Sequence, residues 1–193
     1  MKTYPLILAS TSKYRAQLLS QLGWPFSSQD PGVDEAPLKS QGLHPRELAL
    51  KLSLLKAQAV AEKNPESVVI GSDQVCALGE TLLSKPHTIQ KAIEQLHLLS
   101  GKSHQLFTAV TVISPKNTHS FVNVTTLHMR SFSEAAQRSY VEADLPLDCA
   151  GSYKLESRGI KLFSRIEMSD HTAIIGLPLI ELSDVLLREG FAL

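Results

Sequence analysis

Two short apolar runs, Leu6-Ile7-Leu8-Ala9 and Val68-Val69-Ile70, each break abruptly into small polar residues, and this constrains the chain more than any other feature. The first reads as a buried strand, with Ser10-Thr11-Ser12 supplying hydroxyls where a helix begins. The second, Ser67 to Asp73, reads as a buried strand running into a polar terminus, the arrangement in which α/β folds present catalytic groups.

Helical spacing fills the intervals. Tyr14, Leu18, Leu19 and Leu22 share one face of a helix that Gly23 stops, and Pro45 opens a second whose buried stripe is Leu48, Leu52, Leu55 and Ala59. Between them, Gln29 to Gly42 is rich in Pro, Gly, Asp and Ser, a loop long enough to be functional in a compact domain. Further helices are expected from Ile89, Ile93, Leu96 and Leu99 (closed by Gly101), from Ser133 to Glu142 and from Pro178 to Arg188. Alternating runs over Gln105–Ile113 and Ser120–His128, joined at Pro115-Lys116-Asn117, predict a hairpin, and Ile160–Ile166 a further strand. The pattern is mixed α/β in one domain over residues 1–193, with no repeat or linker.

Composition narrows the function classes. Nineteen Lys and Arg balance nineteen Asp and Glu, so the broad basic face of a duplex-binding protein is not expected. A chain of 193 residues buries roughly 70% of its unfolded surface and needs neither disulfides nor a structural metal. Cys76 and Cys149 lack zinc spacing and read as free thiols of a cytoplasmic protein. Nothing approaches the ~18 apolar residues of a membrane span. The Pro5–Ala9 stretch after Met-Lys-Thr-Tyr is shorter than a secretory hydrophobic region.

The strand, hydroxyl turn and helix around Ser10, Ser12 and Arg15 can present backbone N–H groups and a guanidinium to an anion, with a phosphate the natural choice. Ser12 also reads as an ordinary N-cap, and no Walker loop is present. Asp73, at the end of its apolar run, can hold a divalent cation or activate water, or serve as a turn residue. Glu35, beside Asp34, offers a second oxygen donor for Mg²⁺ or Mn²⁺, and Lys56 and Lys85 suit a polyphosphate. Singly these are ordinary residues; as a set they point to a nucleotide. The seven histidines converge on nothing, and serine-hydrolase and zinc-protease motifs are absent.

Leu6 to Ser12 with Arg15, Val33-Asp34-Glu35, Lys56-Ala57, Ile70-Gly71-Ser72-Asp73-Gln74-Val75, Lys85-Pro86 and Ala150-Gly151-Ser152-Tyr153 together resemble the Maf family of nucleoside triphosphate pyrophosphatases. The resemblance covers nearly the whole chain. It implies a Maf/ITPase-like elongated mixed β-sheet flanked by helices, two lobes with a central cleft, often a homodimer, and cleavage between the α and β phosphates. By the same resemblance Ser10 and Arg15 bind phosphate, Lys56 and Lys85 meet the triphosphate, Glu35 and Asp73 hold the divalent metal, and Asp73 accepts the proton. Tyr14, Gln74 and Glu156 stand where relatives acting on dTTP and UTP carry Arg, Thr and Gln, a pattern that looks like the branch acting on 7-methyl-GTP. A positively charged 7-methylguanine can stack on Tyr14 and face Glu156, although Tyr14 also suits core packing on its helix. Lys13 and Ser84 depart from the usual Pro and Gly of the family motifs. The remaining alternatives are a dTTP/UTP enzyme and a non-catalytic nucleotide-binding regulator of cell division.

Overall fold

The computed structural model describes residues 4–193, and the Met1-Lys2-Thr3 start of the N-terminal stretch considered above lies outside them. Seven strands of the described residues form one sheet: β1 (Leu6–Ala9), β2 (Phe26–Gln29), β3 (Val68–Leu78), β4 (Thr81–Leu83), β5 (Ser103–Ile113), β6 (Thr118–Met129) and β7 (Phe163–Glu167). Their hydrogen-bonded order is β2-β1-β3-β5-β6-β7, with β4 added to β3. β1 runs parallel to both β2 and β3, whereas β3–β4 and β6–β7 are antiparallel, so the sheet is mixed. Among the described residues six helices accompany it: α1 (Lys13–Ser20), α2 (Ala36–Lys39), α3 (Pro45–Ala61), α4 (Ile89–Leu99), α5 (Glu134–Asp144) and α6 (Leu179–Arg188). This is the expected α/β class. None of these helices is long and apolar enough to cross a membrane among the described residues.

The chain divides into two compact units. The first comprises residues 1–74, 108–123 and 170–193. Its core follows from strand alternation, because neighbouring side chains of a strand point to opposite faces. Leu6, Leu8, Val68 and Ile70 pack with Leu18 and Leu19 of α1 and with Leu182, Val185 and Leu186 of α6. Ile7, Ala9 and Val69 face the other way, onto Val60 of α3. Burial on both faces is what a parallel pair covered by helices requires, and it accounts for the uninterrupted apolar runs.

Gly71 continues the α3-facing series of Val69. A Cβ there would meet the Ser53 carbonyl oxygen at 2.3 Å and the Ala57 nitrogen at 2.6 Å. Only glycine therefore lets the α3 backbone lie this close to β3, and the close approach sets the height at which the next α3-facing residue, Asp73, meets the helix.

The second unit comprises residues 75–107 and 124–169. Here α4 buries Ala92, Ile93, Leu96 and Leu99, and α5 starts at a Ser133 N-cap. His104 is buried, with Nε2 2.9 Å from the Tyr153 hydroxyl, and burial lowers its pKa to about 4. Neither cysteine forms a disulfide; burial pushes the Cys76 thiol up to about 12.

Several local expectations change. β3 does not stop at Asp73 but continues to Leu78, since the carboxylate finds a partner and the strand goes on. The buried α3 stripe uses Ala49, Ser53, Ala57 and Val60 beside Leu48 and Leu52, rotated away from Leu55 and Ala59, because Gly71 draws the Ser53–Ala57 side against the sheet. Tyr14 is 40% exposed, which removes the core-packing alternative. The stretch from Gln29 to Gly42 includes the end of β2 and the single turn of α2, and Ile160 to Leu162 belong to a 3₁₀ turn, leaving β7 to start at Phe163.

Replacing Gly71 by Ala is expected to destabilise the protein by roughly 1–3 kcal/mol, because the obstructing atoms are backbone. A lower midpoint of urea unfolding, with an unchanged slope, checks it.

Candidate active site

The end of β1 is paired in register with β3, Ala9 opposite Gly71, so the turn after β1 sits level with Ser72 and Asp73. Ser10 is buried and its hydroxyl accepts from the Ser12 N–H at 3.1 Å. Ser12 in turn caps α1, its hydroxyl accepting from the Arg15 N–H at 3.4 Å. The N-cap reading of Ser12 thus holds, and the cap presents Arg15 in the first turn of the helix.

The centre of the site is Lys56. Its ammonium donates to Asp73 Oδ1 at 2.5 Å and pairs with Glu35 Oε1 at 2.7 Å, with the lysine side chain only 11% exposed. Glu35 stands at the N-terminus of α2, where Lys39, one turn on, reaches Glu35 Oε2 at 2.5 Å. Two carboxylates therefore converge on one ammonium, flanked by a second.

These contacts set the charge of Glu35. Burial alone would raise its pKa, but hydrogen bonds and charges from Lys39 and Lys56 outweigh it and bring it down to about 2, from an ordinary 4.5. A folded-state pKa below the unfolded one means that the ionised form contributes stability above about pH 4.5. That contribution is lost as the pH falls toward 2. Arg15 feels the same groups: burial lowers its pKa, while Asp73 and Glu35 raise it.

Arg15 has no ion-pair partner among the described residues. Its Nε instead donates to the Gly176 carbonyl at 3.0 Å, and the Ser72 hydroxyl donates to the same oxygen at 3.0 Å. Gly176 has φ +120°, a conformation that favours glycine, and a Cβ there would lie 3.4 Å from Arg15 Nε. Gln74 is tied to the same turn, its amide nitrogen 2.9 Å from the Ala173 oxygen and 3.0 Å from that of Ile174, and 2.9 Å from Thr108 Oγ1.

Of the residues named from the sequence, Ser10, Tyr14, Arg15, Glu35, Lys56, Asp73 and Gln74 fall in the first unit, and Glu35, Lys56 and Asp73 are in direct contact. Tyr14 projects from α1 into solvent. Lys85 and Glu156 belong to the second unit and are exposed. Lys85 there lines a pocket of about 480 Å³ with His87, Lys91 and Glu94. Sequence reasoning missed Lys39, although its spacing of four residues from Glu35 is a readable signal. It also missed Ser72 and Gly176, whose roles depend on contacts distant in sequence.

Among the described residues no cluster of three or more His, Cys, Asp or Glu side chains is placed to hold a metal ion. Glu35 and Asp73 supply a pair of carboxylates close enough to share one cationic partner. That donor set fits a hard divalent cation held jointly by one or two carboxylates and the phosphates of a substrate.

Residues 5–189 match the Maf family, described as Maf-like protein. A Bdellovibrio bacteriovorus protein named 7-methyl-GTP pyrophosphatase is 48% identical over 94% of this chain and 95% of its own length. A Pseudomonas aeruginosa protein of the same name is 46% identical over 96% of each chain, and one from Vibrio cholerae is 43% identical over 98% of each.

In metal-free protein, Lys56→Met is expected to raise the Glu35 pKa from about 2 part of the way toward 4.5, because the Lys39 hydrogen bond still lowers it. A ¹³C carboxyl titration of Glu35 reads the shift directly.

Proposed function

This chain belongs to the Maf-like protein family, and from that footing we propose that it hydrolyses the α–β phosphoanhydride of 7-methyl-GTP to 7-methyl-GMP and pyrophosphate. The observation that carries the reading is the Lys56 ammonium shared by Asp73 and Glu35. A polyphosphate brings several negative charges, and it competes with both carboxylates for Lys56. As Lys56 turns toward phosphate, Asp73 Oδ1 is released to orient a water and accept its proton. The water oxygen forms a bond to phosphorus, the α–β bridging bond breaks, and pyrophosphate leaves with the released electron pair. Arg15 and Lys56 stabilise charge on the transferring group.

Mg²⁺ or Mn²⁺ belongs to the same proposal, with Glu35 and Asp73 as the residues that would hold it. When bound, such a cation neutralises phosphoryl charge and makes water a better nucleophile. Ser10 joins Arg15 at the phosphates, and Lys85 supplies further positive charge. For the base, the proposal rests on Tyr14, whose exposed ring can stack on a cationic purine, and on the Glu156 carboxylate as its counter-charge. Gln74, its amide nitrogen directed at the 173–174 carbonyls, acts on specificity by holding that turn. The enzyme works in the cytoplasm, as a homodimer by family resemblance, on a free nucleotide and not on nucleic acid or membrane.

Pyrophosphate release from 7-methyl-GTP, GTP, dTTP, UTP and CTP tests this with either metal. The expected result is preference for 7-methyl-GTP, activity that chelation removes, and a fall of about 10²–10⁴-fold in kcat for Asp73→Asn. Glu156→Gln is expected to narrow the 7-methyl-GTP to GTP preference by roughly tenfold. Preference for dTTP and UTP would replace the substrate, and binding without turnover would replace the enzyme with a regulator.

A further inference from the structure

We propose that Asp170 and Thr172 are positioning residues for Arg15, acting through the turn that ends at Gly176. This inference rests on the function proposed above, because it takes Arg15 to be a phosphate ligand. Asp170 is 2% exposed and Thr172 3%, deep burial for polar side chains that touch none of the groups converging on Lys56. Asp170 Oδ1 accepts from the Thr172 N–H at 2.8 Å and from the Thr172 hydroxyl at 2.6 Å, and Oδ2 accepts from the Ile180 N–H at 2.8 Å. The Thr172 hydroxyl accepts in turn from the Leu179 N–H at 2.8 Å. One carboxyl group and one hydroxyl thus close the 170–178 segment onto the start of α6 and satisfy N–H groups that the helix leaves unpaired.

The closed segment turns its carbonyls toward the β3 side chains. Ala173 and Ile174 receive Gln74, and Gly176 receives Arg15 and Ser72. Arg15 is therefore held by Nε against a carbonyl whose direction depends on Asp170 and Thr172, two residues that lie more than 150 positions away in the sequence. A guanidinium held at Nε keeps its terminal nitrogens oriented in one plane, the geometry that suits paired hydrogen bonds to phosphate. Without the Asp170–Thr172 clasp the Gly176 carbonyl is directed by the Ser72 hydroxyl alone, and Arg15 is held less firmly, while the sheet and the α1 cap remain.

The test uses the full chain as wild type, Asp170→Asn, Thr172→Val, Thr172→Ser, Arg15→Ala and the Asp170→Asn/Arg15→Ala double variant, each first checked by thermal unfolding. Hydrogen exchange at the Arg15 Nε–H, read by ¹H–¹⁵N NMR without ligand, is expected to accelerate about tenfold or more in Asp170→Asn and Thr172→Val, and to be restored by Thr172→Ser. Affinity for inorganic tripolyphosphate is expected to fall about tenfold in each of those two variants, with the double variant no weaker than Arg15→Ala alone. Should Asp170→Asn fail to fold, the isosteric Thr172→Val carries both readouts, its tripolyphosphate cycle then run with Arg15→Ala. Unchanged exchange at Arg15 Nε in the folded variants would overturn the proposal. So would strictly additive losses in the double variant, the mark of a merely structural role. A wild type that binds no polyphosphate and releases no pyrophosphate would overturn the function assigned to the site, a result told apart because the ligand-free exchange still decides whether Asp170 and Thr172 hold Arg15.

Discussion

The site depends on an ammonium placed, largely shielded from water, between two carboxylates. Lys56 has a side chain 11% exposed, and so does Asp73, so their charges are tolerable only together. Removing Lys56 leaves the Asp73 carboxylate uncompensated at a place where solvent cannot fully screen it, whereas removing Asp73 leaves Lys56 with Glu35. Everything nearby serves this contact: Gly71 admits the α3 backbone, α2 brings Glu35 and Lys39 to the outer side, and the first turn of α1 supplies Arg15, which has no carboxylate partner among the described residues. The arrangement holds more positive groups than negative ones, Arg15, Lys39 and Lys56 against Glu35 and Asp73, and so is poised for an anionic guest.

Much of this was legible in the sequence because the informative residues are local to their elements. β1 is an apolar run of four, Ser12 and Ser133 cap the helices they precede, and the hairpin of β5 and β6 shows itself by alternation around a Pro-Lys-Asn turn. Glu35, Lys56 and Asp73 were separable from ordinary surface charges only as a set, each beside a strand end or loop, and through resemblance to a family. Apart from Lys39, four residues from Glu35, what escaped had no local signal. β2 is an edge strand reading Phe-Ser-Ser-Gln, too polar to announce itself, and β3 passes through a carboxylate that in isolation looks like a strand end.

The turn between Asp170 and Gly176 illustrates the same limit from another side. Its sequence has neither helical nor strand period, and its apolar residues look like a broken core segment. The meaning of Asp170 lies in three donors that meet only once α6 has formed, and the meaning of Gly176 lies in an arginine and a serine from other elements. Periodicity reports what faces a core. It is silent about which carbonyl a distant guanidinium will use.

The alternation along β3 has one more consequence. Val69, Gly71 and Asp73 face α3, while Ile70 and Ser72 face the side of α6 and its preceding turn. The period of two makes the chemistry of the strand a matter of parity. A residue inserted between Val69 and Ser72 would offer Lys56 the Ser72 hydroxyl where it now meets an acid, a deletion there would offer it the Gln74 amide, and either would turn the acid toward a carbonyl. Drift in this family can therefore exchange side chains along β3 one at a time, but it can change the length of the strand here only in steps that preserve odd and even.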